Sequence, residues 1–226
     1  MSETAATGIK QSKQTKHDQI IAAAMKVFGR YGYRRSSMAL IAEAAGVSRP
    51  ALYQDFNGKE DVFRAMGAHL LNGVVLAAEM AAGANGTTAD RLYGALSVKL
   101  ELVIGTVDAE YRSELLTEAG VVAADLVSSF KERFTAVVEE LLTSARGELD
   151  LLDEVLPTRD CALLLLDAVT GITQEESPQT ARRRLRQLVD LTVRSLTSTP
   201  VPSPGTTHRA SRPADQRATE PRSTDR

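Results

Sequence analysis

The sequence predicts an all-α fold of nine helices. Three observations carry this. Ala-, Leu- and Val-rich segments dominate the chain and place their apolar residues at helical spacing. Alternation of β-branched residues, which marks a half-buried strand, is scarce. Ser, Gly and Pro fall between the apolar segments, where helices start and stop.

The first helix is expected from about Lys16 to Tyr31, with Ile20, Ala24, Val27, Phe28 and Tyr31 on its apolar stripe and Gly32 ending it. The second begins after Ser36 or Ser37, either of which can cap it, and ends at Gly46; the third takes Ser48 as cap and runs to Phe56. The fourth runs from near Gly58 to about Ala82, before an Asn85-Gly86 turn. The fifth spans roughly Thr88 to Thr106, the sixth Ala109 to Ala119 and the seventh Ala123 to Arg146. The eighth follows Pro157-Thr158 and ends at Gly171. The ninth pairs a Ser177 cap with Pro178 in its first position and ends near Thr197.

Composition divides the chain. Residues 1–15 are small and polar and read as a flexible arm. Residues 16–60 read as one helical domain and 61–198 as a larger one. Residues 199–226 hold five of the eight prolines and read as a disordered tail. Residues 1–64 carry 10 basic and 6 acidic side chains, net +4, whereas residues 65–200 carry 12 and 20, net −8. A basic head on an acidic body suggests that the head meets a polyanion. One Cys excludes a disulfide framework. No 18-residue apolar run or signal-peptide stretch is apparent, so a cytoplasmic protein without a membrane partner is expected. His17, His69 and His208 are too scattered for a metal set, and there is no phosphate loop or nucleophile elbow; neither an enzyme nor a cofactor is expected.

The functional signal lies at residues 36–56, with the helix-turn-helix motif at about 37–57. Ala42 is small where two helices cross, Gly46 fits the turn, and Ile41, Val47 and Leu52 supply the core between them. In such a motif the second helix enters the major groove with its N-terminal residues facing base edges. Those residues are Arg49, Pro50, Ala51 and Gln54. Arg49 suits a bidentate contact with guanine and Gln54 a contact with adenine, while Pro50 and Ala51 offer only apolar contact. Ser36, Ser37, Tyr53 and Lys59 are the candidates for phosphate contacts, Ser48 is a further DNA-binding candidate, and Lys10, Lys13 and Lys16 are arm cations. Arg34 and Arg35 read as surface charges near the DNA. Tyr53 could instead be a packing residue, and Arg49 could simply be solvated.

The run at residues 28–66 resembles the DNA-binding domain of the TetR/AcrR family of bacterial transcriptional regulators. The shared features are Phe28, Gly32-Tyr33, Ser36-Ser37, Ile41-Ala42, Ala45-Gly46-Val47-Ser48, Leu52-Tyr53, Phe56 and Lys59-Glu60. Pro50 and Asn57-Gly58 depart from the usual pattern, and beyond residue 65 the likeness is one of size and helix count. The resemblance implies phosphate-contacting roles for Tyr53 and Lys59. It also implies a pocket for a small inducing molecule in the larger domain. Tyr93, Tyr111, Glu114 and Glu118 are the polar candidates to line it, with Glu101 and Thr117 beside them. The eighth helix is apolar nearly all round and the ninth carries a wide Leu/Val stripe; both suit a four-helix homodimer interface. The function expected is that of a repressor released from a pseudo-palindromic operator by a small apolar ligand. A ligand-responsive activator and an all-helical enzyme are the alternatives.

Overall fold

The structure, a computed structural model, describes residues 2–197 except residue 155, with side chains from residue 16 onward. The tail expected at residues 199–226 lies outside the described residues. Among them are nine helices: α1 (Ser2–Arg35), α2 (Met38–Ala44), α3 (Arg49–Tyr53), α4 (Lys59–Ala82), α5 (Thr88–Thr106), α6 (Ala109–Val122), α7 (Ala124–Ser144), α8 (Thr158–Ile172) and α9 (Pro178–Leu196). The only β-type pairing among them is an isolated bridge between Leu152 and Leu156.

Helix starts follow the capping chemistry. Ser37 Oγ accepts from Leu40 N at 3.3 Å at the start of α2, and Ser48 Oγ accepts from Ala51 N at 3.2 Å at the start of α3. Thr87 and Ser177 do the same for α5 and α9. One boundary differs widely from expectation: α1 begins at Ser2, so the segment expected to be a flexible arm is helical. Residues 2–15 contain no proline, and their Ala, Glu, Gln and Lys residues offset Gly8 and the Ser and Thr positions, so a helix forms without an apolar stripe. The helix breaks at Gly32, whose φ of 73° and ψ of 175° suit glycine alone. Ends shift less elsewhere: α3 stops at Tyr53, short of Phe56, and α6 runs on to Val122.

Buried apolar residues gather into two clusters. Ile20, Phe28, Ile41, Leu52, Phe56 and Phe63 anchor the first, in the head. There Phe28 and Phe63 meet edge to face with centroids 5.2 Å apart. The second fills the body, where α4 packs on α5 and α7, α7 on α8, and α5 on α9. Leu96, Leu100, Phe134, Val138, Leu142 and Leu185 lie at its centre. Helix α4 belongs to both, giving Val62, Phe63 and Met66 to the head and Val74, Val75 and Ala78 to the body. The expected division at residue 60 therefore falls at the start of a helix that runs through both clusters. Against the expectation of no sufficiently apolar run, α4 is long and apolar enough to cross a membrane by length and composition, with a mean hydropathy of 1.3 over 18 residues. Its inward residues are accounted for by the two cores.

The head and body also meet at a corner between α5 and α6. A Cβ on Gly29 would lie 2.2 Å from the Thr106 carbonyl oxygen, and Asp108 N donates to Gly29 O at 3.1 Å. Only glycine permits α1 to lie this close to the end of α5.

Candidate nucleic-acid interface and body cavity

The head presents α3 outward. Leu52 is fully buried and Phe56 nearly so, which pins the helix to the first core by one side. The opposite side is open: Ser48, Arg49, Pro50, Tyr53 and Gln54 are exposed, and Ala51 is half-buried. Gly46, with φ of 66°, makes the turn that aims α3. Tyr53 is 49% exposed, so it is not the packing residue that a buried tyrosine would be. Lys16 Nζ pairs with Asp55 Oδ2 at 2.6 Å and donates to Ala51 O at 2.9 Å, clamping α1 to α3. Lys16 is thus a structural cation and not a free arm charge. Lys10 and Lys13 fall where side chains are not described.

Ser36 is turned inward, and Lys59 has partners within the head. Ser36 is buried and its hydroxyl donates to Gly32 O at 2.6 Å, because the break at Gly32 sends Ser36 N to Tyr33 O instead. It faces inward, and Ser37 alone stands exposed at the cap. Lys59 folds back over the Tyr33 ring, 4.2 Å from its centroid, and donates to Tyr33 O at 2.9 Å and Arg34 O at 3.4 Å. A phosphate at Lys59 has to compete with those carbonyls.

Arg34 and Arg35 are exposed surface charges, and they also bridge the head to the body. Arg34 N donates to Glu114 Oε1 at 2.9 Å and Arg34 Nε to Glu118 Oε1 at 2.9 Å; Arg35 Nη1 donates to Tyr111 Oη at 2.9 Å. Three of the four residues expected to bind a ligand are therefore spent on the face of α6 that meets α1. The fourth, Tyr93, lies under Arg186, whose guanidinium carbon is 3.9 Å from its ring centroid. Glu101 pairs with Arg182 at 2.6 Å, and the exposed Thr117 donates to Ser113 O in its own helix. None of these six lines the body's apolar cavity. They lie on faces of α5 and α6 that turn away from this cavity, a distinction that helical periodicity alone leaves open.

The cavity has a volume of about 280 Å³ and opens among α4, α5, α6, α7 and α8. Its walls are mainly apolar, with Phe63, Met66, Leu70, Leu102, Leu115 and Phe130 among them. Its polar residues are Lys99, Thr106, Arg112, Lys131, Asp167 and Thr170. Arg112 is buried and its guanidinium donates to the carbonyls of Val107, Thr173, Glu175 and Ile104. Lys99 Nζ donates to Thr170 Oγ1 at 2.7 Å, and Lys131 pairs with Asp167 at 3.0 Å. Burial pushes the Lys99 ammonium down to about 8, with Lys131 adding to the fall and Asp167 opposing it. A signal for Lys99 did exist: Lys99, Leu102, Val103 and Thr106 share one helical face, so a lysine interrupts an otherwise apolar stripe. Among the described residues, no group of three His, Cys, Asp or Glu side chains comes together as a metal site.

Comparison with known proteins bears on the head directly. Residues 20–66 match the family described as "Bacterial regulatory proteins, tetR family". The head therefore carries a TetR-family segment. It is similar to the HTH-type transcriptional repressor ComR of Escherichia coli, 43% identical over 49 residues, which is 22% of this chain and 23% of that protein. It is also similar to the HTH-type transcriptional activator FasR of Mycolicibacterium smegmatis, 37% identical over 59 residues, or 26% and 27% of the two chains. The chain thus matches about a quarter of the length of these curated relatives. The TetR-family regulator PfmR of Thermus thermophilus shares the fold, with a TM-score of 0.61 at 20% identity over 79% of this chain and 99% of that one. These relatives are named as regulators of transcription and not as enzymes.

Proposed function

We propose that this TetR-family protein is a sequence-specific DNA-binding transcriptional regulator, acting in the cytoplasm as a homodimeric repressor that a small apolar molecule releases from its operator. The observation that carries the reading is the exposed side of α3, aimed by Gly46 and held by Leu52, within a segment that matches the family's DNA-binding domain. Arg49 and Gln54 read bases, while Ser37, Ser48 and Tyr53 position the helix on phosphates.

Support for the dimer comes from Leu164 on α8 and Leu191 on α9, which are 59% and 68% exposed on packed helices. A two-fold axis there would set two α3 helices against successive turns of the major groove, ~34–36 Å apart. Support for ligand control comes from the cavity and its wall: Thr106 and Val107 line it, and the Thr106 carbonyl abuts Gly29 of α1. A molecule that pushes this corner, or tilts α4, moves the head.

The test is selection of binding sites from random duplexes, followed by footprinting on the recovered motif. A two-fold motif with half-sites about one turn apart supports the reading. Salt-sensitive binding without any selected motif opposes it. FasR is named an activator, so reporter expression on deletion of the gene separates the two modes: a rise marks repression and a fall marks activation.

A further inference from the structure

We propose that the body cavity selects a chain-like monoanion: a carboxylate held at Lys99, with an unbranched apolar chain of about eight to ten carbons lying along α5 toward Val107. The inference rests on the reading of this cavity as the effector site and names the chemistry that the site takes.

The geometry comes from one helix face. Lys99, Leu102, Val103 and Thr106 line the cavity from α5, and Val107, its extended C-cap, continues the same wall. Eight residues separate the first from the last, so the wall runs ~12 Å along the helix axis. An extended chain of about eight to ten carbons has that length, and the cavity's volume of about 280 Å³ admits one such chain and little more. The lining residues from α4 are all uncharged.

Charge fixes the head group. The titratable groups facing the cavity are Lys99 from α5, Arg112 from α6, Lys131 from α7 and Asp167 from α8. Arg112 is bound to four backbone carbonyls near the Val107 end and serves the fold. Lys131 and Asp167 answer each other. Lys99 feels Asp167 only at a distance, since that carboxylate is paired with Lys131, and its described hydrogen bond goes to a neutral hydroxyl, that of Thr170. A half-buried cation with one described hydrogen bond is completed by one negative charge. A neutral ligand would cover Lys99 further without balancing it. The lowered Lys99 ammonium supports the same view, since an ion pair would restore it.

Decanoate and decan-1-ol are the probes, titrated calorimetrically into the full chain and into Lys99→Met, Lys99→Arg and Asp167→Asn. The expected result is that wild type binds decanoate about tenfold or more tightly than decanol. Lys99→Met should lose that preference while still binding decanol, Lys99→Arg should keep it, and Asp167→Asn should strengthen decanoate binding. Decanoate affinity should fall as pH rises from 7 to 9.5, because the protonated Lys99 is the binding form. Equal affinities in wild type, or an unchanged preference in Lys99→Met, would overturn the inference while leaving the effector-site reading intact. Failure of both probes to bind would overturn the inference and count against that reading as well. Decanoate binding without release of operator DNA would leave the inference standing and remove the regulatory role of the cavity.

Discussion

Replacing Gly32 by alanine should destabilise the protein by roughly 2–4 kcal/mol, and the structure shows where that comes from. Gly32 holds φ 73° and ψ 175°, a conformation essentially closed to residues with a Cβ. Forcing alanine there costs ~1–3 kcal/mol. The new Cβ would also lie 2.9 and 3.0 Å from the two Glu114 carboxylate oxygens. That carboxylate ends a flexible side chain, so it would swing away and give up its bond from Arg34 N. A hydrogen bond to a charged acceptor that is partly open to water is worth ~1 kcal/mol. Urea denaturation at one fixed protein concentration measures the total, since a dimer's stability depends on concentration. Glu114→Ala should cost only the second part. The double variant should therefore cost about 1 kcal/mol less than the sum of the two singles. Gly32→Ala should also weaken DNA binding, because Gly32 sets the turn from α1 into α2. A loss below about 0.5 kcal/mol, or strict additivity with Glu114→Ala, would refute this account of the junction.

Other outcomes follow from single contacts. Arg64 forms a two-pronged pair with Asp125, at 2.8 and 2.7 Å, and its hydrogen bond holds the Asp125 carboxyl down to about 2. A depressed carboxylate stabilises above its unfolded value near 4 and loses that contribution as pH falls through its folded value. The urea midpoint of wild type should therefore fall more steeply between about pH 4 and 2 than that of Arg64→Met. Lys99 behaves oppositely: between about 8 and its ordinary 10.5 the unfolded chain holds the proton more tightly, so stability rises with pH across that window. Lys99→Met should melt higher than wild type at pH 7, and the gap should close above the window. Leu164→Asp with Leu191→Asp should yield monomers in sedimentation and abolish operator binding while leaving helical circular dichroism unchanged. Gly29→Ala should force the α5–α6 corner off α1, with an overpacking cost of ~1–3 kcal/mol read as a lower urea midpoint.

Helix positions were legible because caps and breakers are local. Ser37, Ser48, Thr87 and Ser177 each cap the helix that follows, and Gly32 and Gly46 turn the chain with positive φ. The outward side of α3 was legible for a related reason: in a five-residue helix, burial of Leu52 leaves few ways to orient Arg49, Pro50, Tyr53 and Gln54. The body was not legible in the same way. Tyr111, Glu114 and Glu118 lie on one side of α6 and Leu115 and Ala119 on another, and both sides are partly apolar. Which side meets α1 and which meets the cavity depends on how α6 is rolled, and packing partners decide that. Ser36 and Ser37 posed the same problem over two residues: either could cap α2, and the hydrogen bond to Gly32 O drew Ser36 inward. The start of α1 was missed because residues 2–15 lack the apolar stripe that marked every other helix.

The central claim is that the exposed side of α3 reads DNA sequence. Site selection with wild type, Arg49→Ala, Gln54→Ala and Tyr53→Phe tests it most directly. Arg49→Ala and Gln54→Ala should each relax one position per half-site, at ~1–3 kcal/mol of discrimination. Tyr53→Phe should weaken binding to every sequence alike. Selected motifs identical in all four proteins would contradict the account.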